Sequence, residues 1–260
     1  MLLYSPAQIT YQPKRIISLV PSITELLYDL GLDMEVAGIT KFCVHPPEAK
    51  KEKAIIGGTK NIHLEKVKAL NPDFIIANKE ENVKEQVEAL AGECNVYVTD
   101  INTLEDAVNM INDIGMITHT SIKADHIISK IKDGFSAIRP MNRIDTAYLI
   151  WRNPYMTIGG DTFIHDMLTK CGLQNIYSSK TRYPEVDIKY LKQQACKLLL
   201  LSSEPYPFKQ KHIDELQQQL PGTKILLVDG EMFSWYGSRL LYGPAYFTEL
   251  IQRVSQACAY

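Results

Sequence analysis

The residues able to do chemistry in this chain are scattered, and their spacing excludes more than it supports. Six histidines (His45, His63, His119, His126, His165, His212) form no ligand-like cluster. His119 and His126 are seven apart in a helical stretch, so both can face solvent on one side; His165 lies inside a helical run. Only His45, in a loop after a strand, suits an axial ligand or a hydrogen-bond donor to a bound molecule. Carboxylates stand at two strand ends, in Ser202-Ser203-Glu204 and Asp229-Gly230-Glu231, without an identifiable nucleophile or metal to make them an acid–base pair. Gly57-Gly58 and Gly159-Gly160 come nearest to phosphate-cradling turns. The second precedes a helix at Asp161-Thr162, where an anion could meet free N–H groups. The simpler reading is that Asp161 caps the helix and the glycines permit a tight turn. Dinucleotide, P-loop, nucleophile-elbow and HExxH patterns are all absent. Five cysteines (Cys43, Cys94, Cys171, Cys196, Cys258) are odd in number, widely spaced and without a CxxC pair, which reads as buried thiols.

What remains is aromatic. Trp151 and Trp235 fall in segments that follow strands, with Phe42, Tyr155, Tyr206, Phe208, Phe233 and Tyr236. Such rings suit a large, flat, partly apolar ligand; alternatively they cap the sheet ends as core. The strands that would position them alternate with helices along the whole chain. Arg15–Val20 is β-rich and stops at Pro21, after which Ser22-Ile23-Thr24-Glu25 reads as a capping box for a helix ending at Gly31. Glu35–Thr40 is a strand, His63–Leu70 a helix, Phe74–Ala77 a strand apolar on both faces, Asn82–Leu90 a helix, Val96–Val98 a strand and Thr103–Ile114 a helix. From His119 to Ile138 the apolar residues Ile122, Ile127, Ile128, Ile131, Phe135 and Ile138 recur at helical spacing with no strand between, and Pro140 closes the run. The alternation then resumes with a strand from Asp145 to Ile150, helices Thr162–Cys171 and Ile188–Ala195, and strand Leu198–Leu201. Helix His212–Leu220, strand Ile225–Val228 and a last helix entered at Pro244 complete it.

The order helix, apolar strand, polar loop, helix, strand occurs once in each half, a match of architecture. The expected fold is α/β: two parallel-sheet lobes, 1–117 and 143–260, joined by a long linker helix within 118–142. In open α/β sheets ligands bind beyond the carboxyl ends of the strands, which selects the segments 41–47, 57–61, 78–82, 151–161, 203–208 and 230–239.

Charge narrows the partners. With 28 basic and 30 acidic side chains the net charge is −2, which gives no footing for nucleic acid. No stretch approaches the about 18 apolar residues of a membrane span, so the chain is not expected to cross a membrane. The first residues lack the basic and apolar regions of a signal peptide, which leaves a cytoplasmic location open beside one reached through an export signal removed or not encoded here.

The segments "RIISLVPSITELLYDLGL", "VAGIT", "HPPEAK", "IGGTKNIHLEKVKALNPDFIIA", "TIGGDTFIHDMLTKCGLQNI", "RYPEVDIKYL" and "LLLLSSEPYPF" together resemble the helical-backbone substrate-binding proteins of ABC transporters. The cobalamin and ferric-siderophore branches are the nearest in pattern, and the resemblance covers nearly the whole chain. It implies two lobes on a rigid helical linker, a periplasmic or cell-envelope location, and no enzymatic activity. The cargo would be a metal chelate, a corrinoid or an iron chelate (siderophore or haem-like), bound non-covalently in an interlobe cleft; no covalent cofactor or resident metal is implied. The positions that match the corrin-holding aromatics of the cobalamin binders are Phe42 or His45, Thr59, Asn78, Met156 and Tyr183. Thr59 and Asn78 are polar where tryptophan is the pattern, so the cleft is rebuilt, with Trp151, Tyr155, Tyr206 and Trp235 bringing other rings. The expected contacts are therefore Phe42, His45, Tyr155, Tyr183, Tyr206, Phe233, Trp235 and Tyr236, with Arg152, Glu204 and Glu231 orienting polar groups. A permease partner is implied as well, docked through one surface glutamate per lobe. Glu65 fits the first; the second position holds Lys189, with Glu185 the nearest acidic residue, a charge reversal that would alter docking. The rival readings are a two-lobed transferase-like enzyme acting in the cleft and a cytoplasmic carrier or sensor on the same fold.

Overall fold

Two runs with no polar residue at all, Phe74-Ile75-Ile76-Ala77 and Leu198-Leu199-Leu200-Leu201, seed the two sheets of the computed structural model, which describes residues 1–194 and 196–257. Every side chain of the two strands they form is buried, as a strand covered on both faces requires. The chain divides into two compact units. The first comprises Met1–Ile101, Glu105–Lys130 and Tyr236–Arg239; the second comprises Asn102–Leu104, Ile131–Trp235 and the residues from Leu240 onward.

In the first unit, β1 (Leu2–Leu3), β2 (Ile16–Ser18), α1 (Pro21–Asp29), β3 (Val36–Ile39), α2 (Ala49–Glu52), β4 (Ala54–Ile55), α3 (Leu64–Ala69), β5 (Phe74–Asn78), α4 (Lys84–Ala91) and β6 (Asn95–Thr99) follow in order. The helices α5 (Leu104–Ile117) and α6 (Ser121–Ala137) come next. The sheet runs β1-β6-β5-β2-β3-β4 with every pairing parallel. One of its faces is filled by Ile17, Leu19, Ile75, Val87, Leu90 and Val96. Helix α6 is shared: it begins in the first unit and its residues from Ile131 belong to the second.

The second unit contains β7 (Ile144–Leu149), α7 (Phe163–Lys170), β8 (Leu173–Asn175), α8 (Ile188–Gln193), β9 (Leu198–Ser202), α9 (Gln210–Gln219), β10 (Lys224–Val228), α10 (Gly230–Ser234) and α11 (Gly243–Ala257). Its sheet, β10-β9-β7-β8, is also wholly parallel. A knot of rings joins strand to helix: Phe233 packs 5.1 Å from Tyr148 and 5.0 Å from Phe247, which in turn meets Phe135 of α6. Among the described residues no helix is long and apolar enough to cross a membrane. Cys43, Cys171 and Cys196 are buried free thiols and Cys94 is partly buried; Cys258 and the expected end of α8 at Ala195 lie outside the described residues.

The α/β class and the alternation stand, while several local expectations need correction. The capping box at Ser22–Glu25 is not formed: α1 starts at Pro21, its N-cap is Val20, and no side chain caps it. A proline at the first position has no N–H to satisfy, which removes part of the demand for a cap. Glu25 instead receives Arg239, Nε donating to Oε2 at 3.0 Å and Nη2 lying 2.7 Å from Oε1, with each side chain only 11% exposed. The helix expected from His119 to Ile138 forms as α6, Ser121–Ala137, and starts later than expected. His119 adopts a positive φ of 58° in a turn, and α6 begins two residues later. Gly115 of α5 lies against Ala124 of α6, an approach that a Cβ would obstruct. Ile127, Ile131, Phe135 and Ile138 are buried as their spacing suggests, but Ile122, in the first turn, is 88% exposed.

Asp161 does not cap α7. Thr162 does, its hydroxyl accepting from the His165 amide, while Asp161 Oδ1 accepts from the Arg182 amide at 2.6 Å. The adjoining Gly159-Gly160 is closed by backbone: Gly159 N donates to Arg182 O and Gly160 N to Lys180 O. These amides are therefore spent on the chain that runs beside them. A Cβ on Gly160 would overlap the Ser178 carbonyl, whereas Gly222 has open space around it.

Two measurements test these assignments. Gly160→Ala is expected to destabilise strongly, by more than the ~1 kcal/mol of an ordinary glycine effect, and Gly222→Ala to be near neutral; equal urea midpoints would refute the close approach. Burial pushes the Glu25 carboxyl up, against the opposing pull of Arg239. Removing the guanidinium raises it further, so the fold binds the proton more tightly than the unfolded chain does. Stability is then lost as pH rises out of the ordinary carboxylate range and recovered on acidification. Arg239→Met should cost about 3–5 kcal/mol at neutral pH and less in acid. Adding Glu25→Gln should relieve part of the loss, and a strictly additive double-mutant cycle would show that the pair does not interact.

Candidate functional site

Parallel strands send all their carboxyl ends to one edge of each sheet, and the candidate residues are found in the loops there. In the first unit the loop after β3 exposes Phe42, half of whose surface faces solvent. Its ring lies along Gly58, and Lys41 Nζ sits 5.1 Å from the ring centroid. Beneath the loop, Cys43 Sγ contacts Thr24 and Thr40 hydroxyls at 3.1 and 3.4 Å, and burial raises its thiol pKa. His45 is half-buried in the same loop and bears electrostatically on Glu25.

The two polar positions, Thr59 and Asn78, are structural in their observed contacts. Asn78 is 2% exposed; its amide donates to Thr99 O and Oγ1, and its Oδ1 accepts from Glu80 N and Glu81 N at 2.8 and 3.0 Å. Every polar atom of that side chain is thus used to shape the loop after β5. Asn82, which sequence reasoning passed over, ties the same loops together by donating to Leu19 O and Thr59 O, both at 3.1 Å. Tyr236 is buried at 6%, faces Ser22, and has its hydroxyl pKa held far up by burial. Glu65 stands 89% exposed on α3, 3.5 Å from Lys68.

In the second unit the chain leaving β7 folds back on itself, Met156 N donating to Trp151 O and Ile150 N to Met156 O. This bridge lifts Trp151 to 41% exposure and sets Arg152 and Tyr155 beside it. Tyr206, from the loop after β9, meets Trp151 edge-on with centroids 5.8 Å apart. Arg152 Nη2 donates to Glu215 Oε2 of α9 at 2.6 Å, and the nearby Tyr206, Tyr155 and Glu215 raise the pKa of the guanidinium. His212, in the first turn of α9, reaches the Tyr206 hydroxyl at 3.4 Å. Sequence reasoning placed Trp151, Arg152, Tyr155, Met156 and Tyr206 here but missed Glu215 and His212. Arg152 and Glu215 are 63 residues apart, and only the helix entered near His212 hinted that the two elements meet.

The carboxylates form a separate group. Glu204 Oε1 accepts from Ser234 Oγ at 2.8 Å and from the Trp235 indole at 3.1 Å. Burial pushes the Glu204 carboxyl up, Ser234 and Trp235 oppose, and Glu231 and Asp229 reinforce the rise. Trp235 is 7% exposed, so most of its ring is packing surface. Phe233 is a correction: at 0% exposure, between Tyr148, Tyr246 and Phe247, it has no surface to offer a ligand. An aromatic at a strand end had two possible fates, and here the second sheet's core took it. Tyr183 and Glu231 are half-buried, and Glu185 is exposed, its backbone bridged to Met156. Lys189 is exposed on α8, where its amide is capped by Asp187. Among the described residues no three His, Cys, Asp or Glu side chains gather as a metal site.

These loops set exposed aromatic faces beside hydrogen-bonded polar groups. The chain is 24% identical over 237 residues to a vitamin B12-binding protein of Pectobacterium carotovorum, a match that covers 88% of this chain and 85% of that one. It is 29% identical over 188 residues to an uncharacterised ABC transporter substrate-binding lipoprotein of Bacillus subtilis, across 67% of this chain and 59% of the other. A periplasmic haem-binding protein from Roseiflexus sp. RS-1, in its apo form, shares the fold with a TM-score of 0.77 at 18% identity, over 94% of this chain and 99% of its own. The periplasmic binding protein family, a family of binding proteins and not of enzymes, matches residues 16–224. On that match the chain belongs to the periplasmic binding protein family.

Proposed function

We propose that this protein captures a metal-chelate nutrient, a corrinoid or an iron chelate of siderophore or haem type, and delivers it to an ABC-type uptake system. The observation that carries the reading is the pair of exposed rings at the strand ends, Phe42 in the first unit and Trp151 in the second, at 50% and 41% exposure. Aromatic faces left open at the edge where parallel sheets bind ligands offer stacking surface to one. Vitamin B12 and haem, named for two of the similar proteins, are both flat metal macrocycles that such rings would stack upon. The polar contacts proposed are Arg152, Glu204 and Glu231, with Tyr155, Met156, Tyr183 and Tyr206 completing the second unit's surface and His45 the first. Thr59, Asn78, Trp235 and Tyr236 support these loops from beneath.

Delivery requires a permease, and the transporter-linked relative from Bacillus subtilis favours one. Glu65 supplies an exposed carboxylate for an arginine partner, and Glu185 is the acidic candidate in the second unit, four residues before Lys189. Such a role places the protein at the outer face of the cytoplasmic membrane, in the periplasm or the cell envelope.

A thermal-shift series with cobalamin, cobinamide, haem, ferric siderophores, divalent metals and nucleotides tests the reading, because a ligand that binds only the folded state raises the melting temperature in proportion to the logarithm of its excess. One class of chelate should shift the transition; a shift with nucleotides alone would replace this reading with the transferase. For the chelate that binds, Trp151→Ala should weaken affinity by about 1–3 kcal/mol in calorimetric titration and leave the melting temperature nearly unchanged. Phe233→Ala should do the reverse, costing about 3–5 kcal/mol of stability. Equal losses of affinity from both would remove the distinction between exposed and packed rings.

A further inference from the structure

His212 and Glu215 are three residues apart on α9, so their side chains share one face of that helix. Each meets a neighbour of Trp151. The His212 imidazole is buried, accepts from the Lys209 amide at Nδ1, and packs 5.5 Å from both Tyr206 and Phe208, centroid to centroid. Tyr206 lies 4.8 Å from Phe208 and meets Trp151 edge-on. The rings form a continuous series from the exposed Trp151 down to Phe208, which belongs to the second unit's core with Leu201, Leu216 and Ile225. Edge-on contacts of this kind favour particular ring orientations as well as burying area.

The second hold is ionic. Arg152 follows Trp151 in the hairpin closed by the Trp151–Met156 bridge, and its Nη2 donates to Glu215 Oε2 at 2.6 Å. The bridge fixes the backbone of Trp151; the ion pair ties the tip of the hairpin to the same helix that anchors Tyr206. The two side chains are 25% and 47% exposed, so salt can reach the pair and weaken it. We propose that Glu215 is a positioning residue for the cargo: through Arg152 it keeps the Trp151 ring in place before anything binds. A ring ordered in advance does not have to be immobilised, at a cost in affinity, when a ligand stacks on it. This rests on the reading that Trp151 stacks on a metal chelate, and Glu215 serves that stacking without touching the ligand.

Trp151 and Trp235 are the two tryptophans of the chain, and the first is open to a collisional quencher while the second is buried. Acrylamide quenching of the free protein therefore reports on Trp151. Glu215→Ala should steepen the quenching and shorten the tryptophan anisotropy decay while leaving the melting temperature nearly unchanged. Potassium chloride at about 1 M, where the screening length falls to about 3 Å, should loosen Trp151 in the wild type and have no effect on the variant. Acrylamide is uncharged, so the salt acts on the pair and not on the quencher. Glu215→Gln, which keeps an acceptor but no charge, should fall between the two and not respond to salt. For the chelate that the thermal-shift series selects, Glu215→Ala should raise Kd about two- to fivefold, the range an exposed ion pair allows. Quenching that is the same in wild type and Glu215→Ala overturns the inference, whatever the affinity does. A looser Trp151 with an unchanged Kd overturns it too, and both results leave chelate capture standing. Failure of the wild type to bind any chelate of the series overturns chelate capture and this inference with it.

Discussion

A strand that pairs in parallel with its neighbour cannot reach it by a tight turn; the chain must travel back along the sheet first, and a helix is the compact way to do so. Both sheets here are wholly parallel, so both faces are covered, and the middle strands β5 and β9 are apolar up to their last residues, Asn78 and Ser202. The same constraint gathers every strand's carboxyl end at one edge. The loops there are free of the sheet's demands, and they hold Phe42, Trp151, Arg152, Glu204 and Tyr206. Their chemistry is a by-product of topology: the fold leaves one edge per unit on which side chains can be chosen for a ligand.

Two carboxylates show how differently burial can be met. Glu25 is matched by a guanidinium, which approaches both of its oxygens. Glu204 has two neutral donors on one oxygen, and the nearby Glu231 and Asp229 add to the rise of its carboxyl. Burial pushes both carboxyls up, the first opposed by a charged partner and the second only by neutral donors. Arg152 follows the same logic in reverse, a cation clamped by Glu215.

The sheets were legible because a strand buried on both faces writes itself as an unbroken apolar run, as at 74–77 and 198–201. Strands β1, β4 and β8 span only two or three residues, too few for any period to register. The capping box misled because Ser22 and Glu25 have the right spacing, while the partner that takes Glu25 lies 214 residues away. The site divided along the same line. Which loops carry rings could be read from position; which rings stay exposed could not, since Phe233 and Trp151 differ only in what the rest of the unit packs against them. His212 and Glu215 escaped notice because their significance is pairwise, created by helix α9 coming up beside the Trp151–Met156 bridge.

The four residues Tyr236–Arg239 belong to the first unit although the chain on either side of them belongs to the second. A ribosome makes the chain from one end only, and by the time β6 and α5 have emerged the first sheet has all its strands but not its last tenant. Until residue 239 is synthesised, Glu25 has no guanidinium to meet. The first unit to be made is therefore among the last to be finished, and a gene cut after the shared helix would encode a half whose buried acid waits for a counter-ion that never arrives.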